Sequence, residues 1–373
     1  MSSNPRIFHL ITRLIGGGAV NGLIPIATEL DGYNVTVGYG SEVDHQYVEL
    51  LQKEGADTKQ FNLIRHYNPI TAAPAVLSVA NFIRQNDFDI VHTHSTEAGI
   101  IGRAAARLAG TSNVVHTIHG VPFSEDRNNL LNWFVERSEV AAAPWTDAII
   151  SIADIISEEY LSRGIGRPEQ YQTIRYGIDL DKFSSGYPAS DLPDSEVQVL
   201  MVSRLARGKG FEVLLDATEE LAVDGVSILI AGDGPLSDEL SSEIEARGLE
   251  ETVHLLGYRD DIPAVMAACD MLVLPSFREG TPFVIIEAMA AGLPVVATDI
   301  AGIPEQVDPE TNGILIEPGN TNALSDAIAR LATSPELRER FGMASRKRAQ
   351  QFSMTRMQDD YASVYADLLD SNR

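Results

Sequence analysis

Short runs rich in Ile, Val and Leu alternate with longer helical stretches along the whole chain, and the alternation runs its course twice. Few folds accept such a pattern. Strands this apolar are covered on both faces, and consecutive parallel strands need helical crossovers, which supply that cover. Strands are expected at 7–11, 34–38, 90–93, 114–118, 148–152 and 171–175. After a turn-rich polar stretch at 184–195 the pattern restarts, with strands at 197–202, 227–231, 253–256, 271–274, 295–297 and 313–316. The expected division is residues 1–186 and 187–353. A closing helix over 354–373 rejoins the first domain and carries Met357, Tyr361, Val364, Tyr365 and Leu368 on one face. Both domains are α/β and doubly wound, with the carboxyl ends of their strands bordering a cleft.

Composition narrows the classes of partner. The 373 residues contain 53 acids against 28 lysines and arginines, a net charge of −25, and only five of the bases are lysine. Residues 1–190 hold 14 basic and 21 acidic residues, and the remainder 14 and 32. Nucleic acid is a poor partner for such a surface. Its acidity fits a salt-rich cytoplasm, where screening removes the self-repulsion. A single cysteine, Cys269, excludes a disulfide framework. No apolar run reaches a membrane span, and the first residues read as a strand rather than a signal peptide, so a cytoplasmic location is expected.

The most informative stretch for chemistry is 271–294. The strand 271–274 runs into a loop bearing Glu279, and a helix opening near Phe283 carries Glu287 in its second turn. The open N–H groups of a helix N-terminus favour an anion, whereas a nearby carboxylate is suited to accept from sugar hydroxyls. Together they describe an anion flanked by two polyhydroxylated rings, as in a nucleotide sugar. An acid there can also be a plain cap or dipole partner. Just past the strand 197–202 stand Arg204 and Lys209, suited to phosphate oxygens or, alternatively, a solvated basic loop.

Four further features stand beside these. Gly16-Gly17-Gly18 after the first strand allows close backbone approach to a phosphate or sugar, or forms a tight turn. It is not a dinucleotide fingerprint. Gly232, in Ala231-Gly-Asp-Gly-Pro235, allows a similar approach. Among His92, His94, His116 and His119, no ligand spacing supports a metal. His92 and His116 suit a core satisfied by backbone, while His119, at a strand end before a glycine, is placed to donate into the cleft. Asp260-Asp261 reads as a helix N-cap rather than a metal pair.

Taken together these residues resemble the retaining glycosyltransferases of family 4, which have two Rossmann-like domains in the GT-B arrangement. The resemblance runs nearly end to end. It includes the glycine loop at 16–18, Thr117-Ile-His-Gly120, the 176–183 block, Ser203-Arg204 with Lys209-Gly210, the 231–235 and 257–261 turns, and the 279–295 block. It implies that Glu279 holds the donor sugar and Glu287 the ribose. Arg204 and Lys209 then neutralise the diphosphate, with the N–H groups of Phe283 and Val284, and His119 contacts the sugar from the other domain. Transfer would retain the anomeric configuration without a metal or other cofactor, and no side chain stands out as a nucleophile. Two positions depart from the family. Ala19-Val-Asn21 follows the glycines where an acid is frequent, and Tyr176 replaces a frequent asparagine, which is expected only to repack the hinge.

The acceptor implied is a glycan, a lipid-linked saccharide or a glycolipid, as in polysaccharide assembly. The apolar segment Leu130-Leu-Asn-Trp-Phe-Val135 fits either core packing or peripheral contact at the inner face of a membrane. A sugar-nucleotide epimerase and a non-catalytic sugar-nucleotide-binding protein are the competing readings.

Overall fold

A computed structural model describes residues 4–63, 69–123 and 128–371, with the side chains of 69–71 left aside. The chain divides into two compact units, Met1–Gly177 with Met354–Arg373, and Ile178–Ser353. The change of unit thus falls ahead of the turn-rich 184–195 stretch.

The first unit holds seven parallel strands: β1 (Arg6–Leu14), β2 (Asn34–Val43), β3 (Asp57–Gln60), β4 (Ile90–His94), β5 (Val114–Ile118), β6 (Ala148–Ser151) and β7 (Tyr171–Thr173). Their order is β3-β2-β1-β4-β5-β6-β7. Strand β3 was not expected. Its sequence, Asp-Thr-Lys-Gln, lies on the sheet edge and is mostly exposed, so no apolar run announces it. The inner strands β4 and β5 are buried at every position. One face packs on the closing helix Met354–Ser371 through Met357, Tyr361, Val364 and Tyr365. The other packs on the helices that contribute Val79, Ile83, Ala98 and Ala105.

The second unit holds six parallel strands: β8 (Val197–Val202), β9 (Val226–Ala231), β10 (Val253–Gly257), β11 (Met271–Leu274), β12 (Val295–Thr298) and β13 (Gly313–Ile316), in the order β10-β9-β8-β11-β12-β13. Its core joins Val199, Met201, Ile228 and Val273 to Leu214, Ile328 and Phe341 on the flanking helices. In each sheet the strand order reverses beside the first strand, between β1 and β4 and between β8 and β11. Loops leaving the carboxyl ends at such a reversal diverge and leave a crevice open. The glycine loop follows β1, the Arg204–Lys209 loop follows β8, and Glu279 follows β11.

Candidate active site

In the second unit, two loops far apart in sequence are locked together. Gly210 has φ +80°, and a Cβ there would stand 2.0 Å from the Pro275 carbonyl oxygen, so only glycine permits the approach. Beside it the Phe277 N–H donates to the Gly208 carbonyl at 2.8 Å. This docking brings Lys209 Nζ to 2.7 Å from Glu279 Oε1, with the lysine side chain 27% and the glutamate 11% exposed. Arg204 stands exposed at the head of the same loop. The two residues expected at the diphosphate and the one expected at the sugar therefore share one loop pair.

The helix Phe283–Ala291 follows at once. Its N-cap is Pro282, whose side chain cannot cap, and the carbonyl of Pro282 is held by Gln306 Nε2 at 3.1 Å. Phe283 and Val284 thus open an N-terminus without a side-chain cap from the residue before them. Glu287 sits in the second turn, half-buried. Burial pushes its carboxyl up to about 7, and the Lys182 ammonium partly opposes the shift. Lys182 lies on the short helix Asp181–Ser184 of the same unit. Its bearing on Glu287 could not be read from spacing, because 105 positions separate two residues that only the fold brings near. Ser276 and Thr281 stand out only in the structure, where their buried hydroxyls have no hydrogen-bond partner among the described residues.

Two expectations take a different form here. Gly232, at φ +144°, would place a Cβ 1.9 Å from the Ser203 carbonyl oxygen, and its N–H donates to Gly257 at 2.8 Å. Its glycine character is thus required by the protein's own backbone. Asp261 occupies the N-cap position of the helix Ile262–Ala267, but its carboxylate does not cap. It takes a forked pair of bonds from Arg259, at 2.7 and 2.6 Å, because a charge-assisted pair outcompetes a neutral backbone donor.

In the first unit the glycine loop runs into the helix Gly18–Thr28. Gly17 is its N-cap at φ +144°, and its carbonyl accepts from the Val20 and Asn21 N–H groups at 3.0 Å each. Gly16, Gly17 and Gly18 line a cavity with Arg13, Ser95 and Glu97, at the β1/β4 reversal. His119 lies just past β5. Its ring is already engaged on both sides: Nε2 with His94 Nδ1 at 3.0 Å, and Nδ1 with the Tyr176 hydroxyl at 2.8 Å. It therefore meets a ligand only by exchanging one of these partners. Tyr176, expected only to repack a hinge, instead holds His119 and lies against Gly22, where a Cβ would come within 2.5 Å of its ring.

His92 and His116 are buried, as expected, but side chains do much of the satisfying. His92 bonds the Tyr365 hydroxyl and Thr117 Oγ1, each at 2.7 Å. His116 Nδ1 meets Thr93 Oγ1 at 2.9 Å and the Thr93 carbonyl at 3.2 Å. Ring nitrogens of His9, His92 and His94 approach within 4.8 Å of one another. Hydrogen bonds engage both ring nitrogens of His92 and of His94, however, and His9 Nδ1 lies 3.0 Å from His94 Nε2, so among the described residues only His9 Nε2 of the three rings is left open. Desolvation keeps these imidazoles neutral: His9 and His119 are pushed down to about 3, and His92, His94 and His116 well below the usual range. The segment 130–135 splits. Val135 is buried, whereas Leu130, Leu131 and Trp133 face solvent, with Leu130 72% exposed.

Known proteins agree with this architecture from end to end. The family model described as Glycosyltransferase Family 4 matches residues 17–182, and that of the Glycosyl transferases group 1 matches 188–348. A UDP-Gal:alpha-D-GlcNAc-diphosphoundecaprenol alpha-1,3-galactosyltransferase of Escherichia coli is 30% identical over 320 residues, 82% of this chain and 82% of its own. Among solved structures, HepE of Anabaena in complex with UDP superposes with a TM-score of 0.83 at 24% identity, covering 97% of this chain and all of its own. A glycosyltransferase of Rickettsia africae superposes at 0.85 and 21% identity, covering 99% of each chain. The GT-B fold is common to them. With both halves matched in order, and Gly16–Gly18, Arg204, Lys209 and Glu279 on loops where the two sheets reverse, the chain is a glycosyltransferase and belongs to family 4.

Proposed function

We propose that the protein transfers a hexose-type sugar from a nucleoside diphosphate sugar to a glycan, lipid-linked or glycolipid acceptor, with retention at the anomeric carbon and without a metal. The observation that carries this reading is the loop pair that sets Lys209 against Glu279 beside the helix N-terminus at Phe283. Arg204, Lys209 and the first-turn N–H groups of Phe283 and Val284 stabilise charge on the departing diphosphate, the task a divalent cation performs elsewhere. Glu279 accepts from the sugar hydroxyls and Glu287 from the ribose. In the first unit, His119 is the candidate for a sugar contact, and Gly17 and Gly18 let the backbone approach the donor. The E. coli relative, whose name includes UDP-Gal and a diphosphoundecaprenol-linked acceptor, and HepE, crystallised with UDP, support a uridine donor and a lipid-linked acceptor.

No described helix is long and apolar enough to cross a membrane. The exposed Leu130, Leu131 and Trp133 at the start of the helix Asn129–Ala142 support peripheral contact of the first unit with a membrane surface. That unit is also the less acidic. A salt-rich cytoplasm accounts for the charge of −25. A panel of nucleotide sugars screened by thermal shift tests the reading, because a ligand that binds only the native state raises the melting temperature. The expected hit is one nucleoside diphosphate sugar, which then releases free nucleoside diphosphate only when an acceptor is present. Release or epimerised donor without acceptor favours the competing enzyme, and no hit across the panel removes the reading.

A further inference from the structure

Three histidines and a tyrosine of the first unit form a single file. His9 lies in β1, His94 ends the neighbouring β4, and His119 follows the next strand, β5. Parallel pairing aligns His9 with His92 and Ile11 with His94, which sets the His9 and His94 rings on one face of the sheet. His9 Nδ1 meets His94 Nε2 at 3.0 Å, His94 Nδ1 meets His119 Nε2 at 3.0 Å, and His119 Nδ1 meets the Tyr176 hydroxyl at 2.8 Å. Successive rings stack within 26° of parallel. At the inner end His9 is fully buried, and its Nε2 has no hydrogen-bond partner among the described residues.

Burial keeps the three imidazoles neutral, so each carries one ring proton. A bond between two such rings needs one donor and one acceptor, so the three must agree, and only two arrangements satisfy every link. In one, all three rings are protonated at Nε2, Tyr176 donates to His119, and the file ends in a buried His9 N–H that reaches nothing. In the other, all three are protonated at Nδ1, His119 donates to the Tyr176 oxygen, and the file ends in a bare lone pair. Buried N–H groups without an acceptor are rarer in proteins than under-satisfied acceptors, which favours the second arrangement.

We propose that His9, His94 and Tyr176 are positioning residues for His119, a one-way hydrogen-bond relay whose buried end at His9 fixes His119 as the Nδ1–H tautomer. The relay rests on the reading above for its purpose. His119 then faces a sugar as a donor from Nδ1, with the sugar oxygen taking the place of the Tyr176 oxygen, while His94 holds the far side of the ring. A relay of neutral rings delivers this without introducing a charge.

Long-range proton–nitrogen NMR on histidine-labelled full-length protein tests it without substrate. All three rings should be protonated at Nδ1. In Tyr176→Phe, which removes only the outer hydroxyl, His9 and His94 should keep that pattern, because control lies at the buried end. In His94→Phe, His119 should lose its single tautomer and the variant should lose turnover while its circular dichroism is unchanged. Nε2–H or mixed tautomers in the unaltered protein overturn the proposal, as does reversal of His9 and His94 in Tyr176→Phe. A tightly held equivalent of transition metal bonded to these rings also overturns it. Should His94→Phe not fold, the spectra of the unaltered protein and of Tyr176→Phe still decide. Absence of transfer with every donor would remove the proposed function and leave the tautomer result standing, so the two fail separately.

Discussion

Lys209 Nζ stands 2.7 Å from Glu279 Oε1, so a cation suited to a diphosphate and a carboxylate suited to a sugar hold each other in place. On the proposed reading, a donor that brings its own anion would compete with Glu279 for the lysine and free the carboxylate to accept from hydroxyls. Lys209→Ala should therefore weaken binding of the donor or of free nucleoside diphosphate. Losing one charge-assisted bond costs about 1.5–3 kcal/mol, roughly 10- to 150-fold in Kd. Arg204→Ala should act in the same direction. Calorimetric titration checks both, with melting curves close to the parent because the residues are partly or fully exposed. Normal affinity in the folded fraction alongside a collapsed Tm would make them structural.

Glu287 supplies a pH dependence with a definite sign. Burial raises its carboxyl from 4.5 to about 7. The folded protein therefore holds a proton there that the unfolded chain releases, and this contribution to stability is present below pH 4.5 and lost as pH rises through about 7. Ribose hydroxyls donate best to the carboxylate, so donor affinity should rise with pH across the same window and level off above it. Glu287→Gln should abolish that rise, and Lys182→Met should move it to higher pH. A pH-independent donor Kd in the unaltered protein, from pH 5 to 8, would contradict the assignment.

Much of this site was legible because its residues lie close in sequence to strand ends. Glu279 and Glu287 stand out as candidates in one strand–loop–helix block, and Arg204 and Lys209 in the loop after β8. What the sequence could not carry is proximity across the fold. Lys182 affects Glu287, Tyr176 grips His119, and His9 reaches His94 only because parallel pairing aligns β1 with β4. Edge strand β3 escaped for a different reason: an exposed polar strand has no hydrophobic period to detect. The apolar 130–135 run was ambiguous for lack of a partner in the sequence, and the fold resolves it into one buried valine and an exposed end.

Arg103 and Glu139 form an ion pair with both side chains fully buried, the Nη2–Oε2 distance being 2.5 Å. Composition and spacing gave no sign of it, since 36 residues separate the partners. Removing one partner strands the other charge in the core. Glu139→Ala should destabilise the protein by about 3–5 kcal/mol in chemical denaturation. Replacing both residues together with apolar side chains of similar size should restore much of that loss. A loss under 1 kcal/mol for Glu139→Ala, small against the range expected for a broken buried pair, would show that the pair is not desolvated in solution.

Salt should strengthen the protein. With 53 acids against 28 bases, self-repulsion is screened only as ionic strength rises. Melting temperature and activity should both climb with potassium chloride well beyond about 0.15 M, where ordinary surface charges are already screened. A flat or falling response up to molar salt would remove the salt-adapted reading.

The central claim is retaining transfer in which Arg204, Lys209 and the helix N-terminus at Phe283 do the work of a cation. The direct measurement is NMR of the anomeric proton in the product, formed from the donor that the panel identifies, with a strong chelator present. The account predicts full turnover and a product with the donor's own anomeric configuration. An inverted product, or activity lost in chelator and restored by magnesium or manganese, would contradict it.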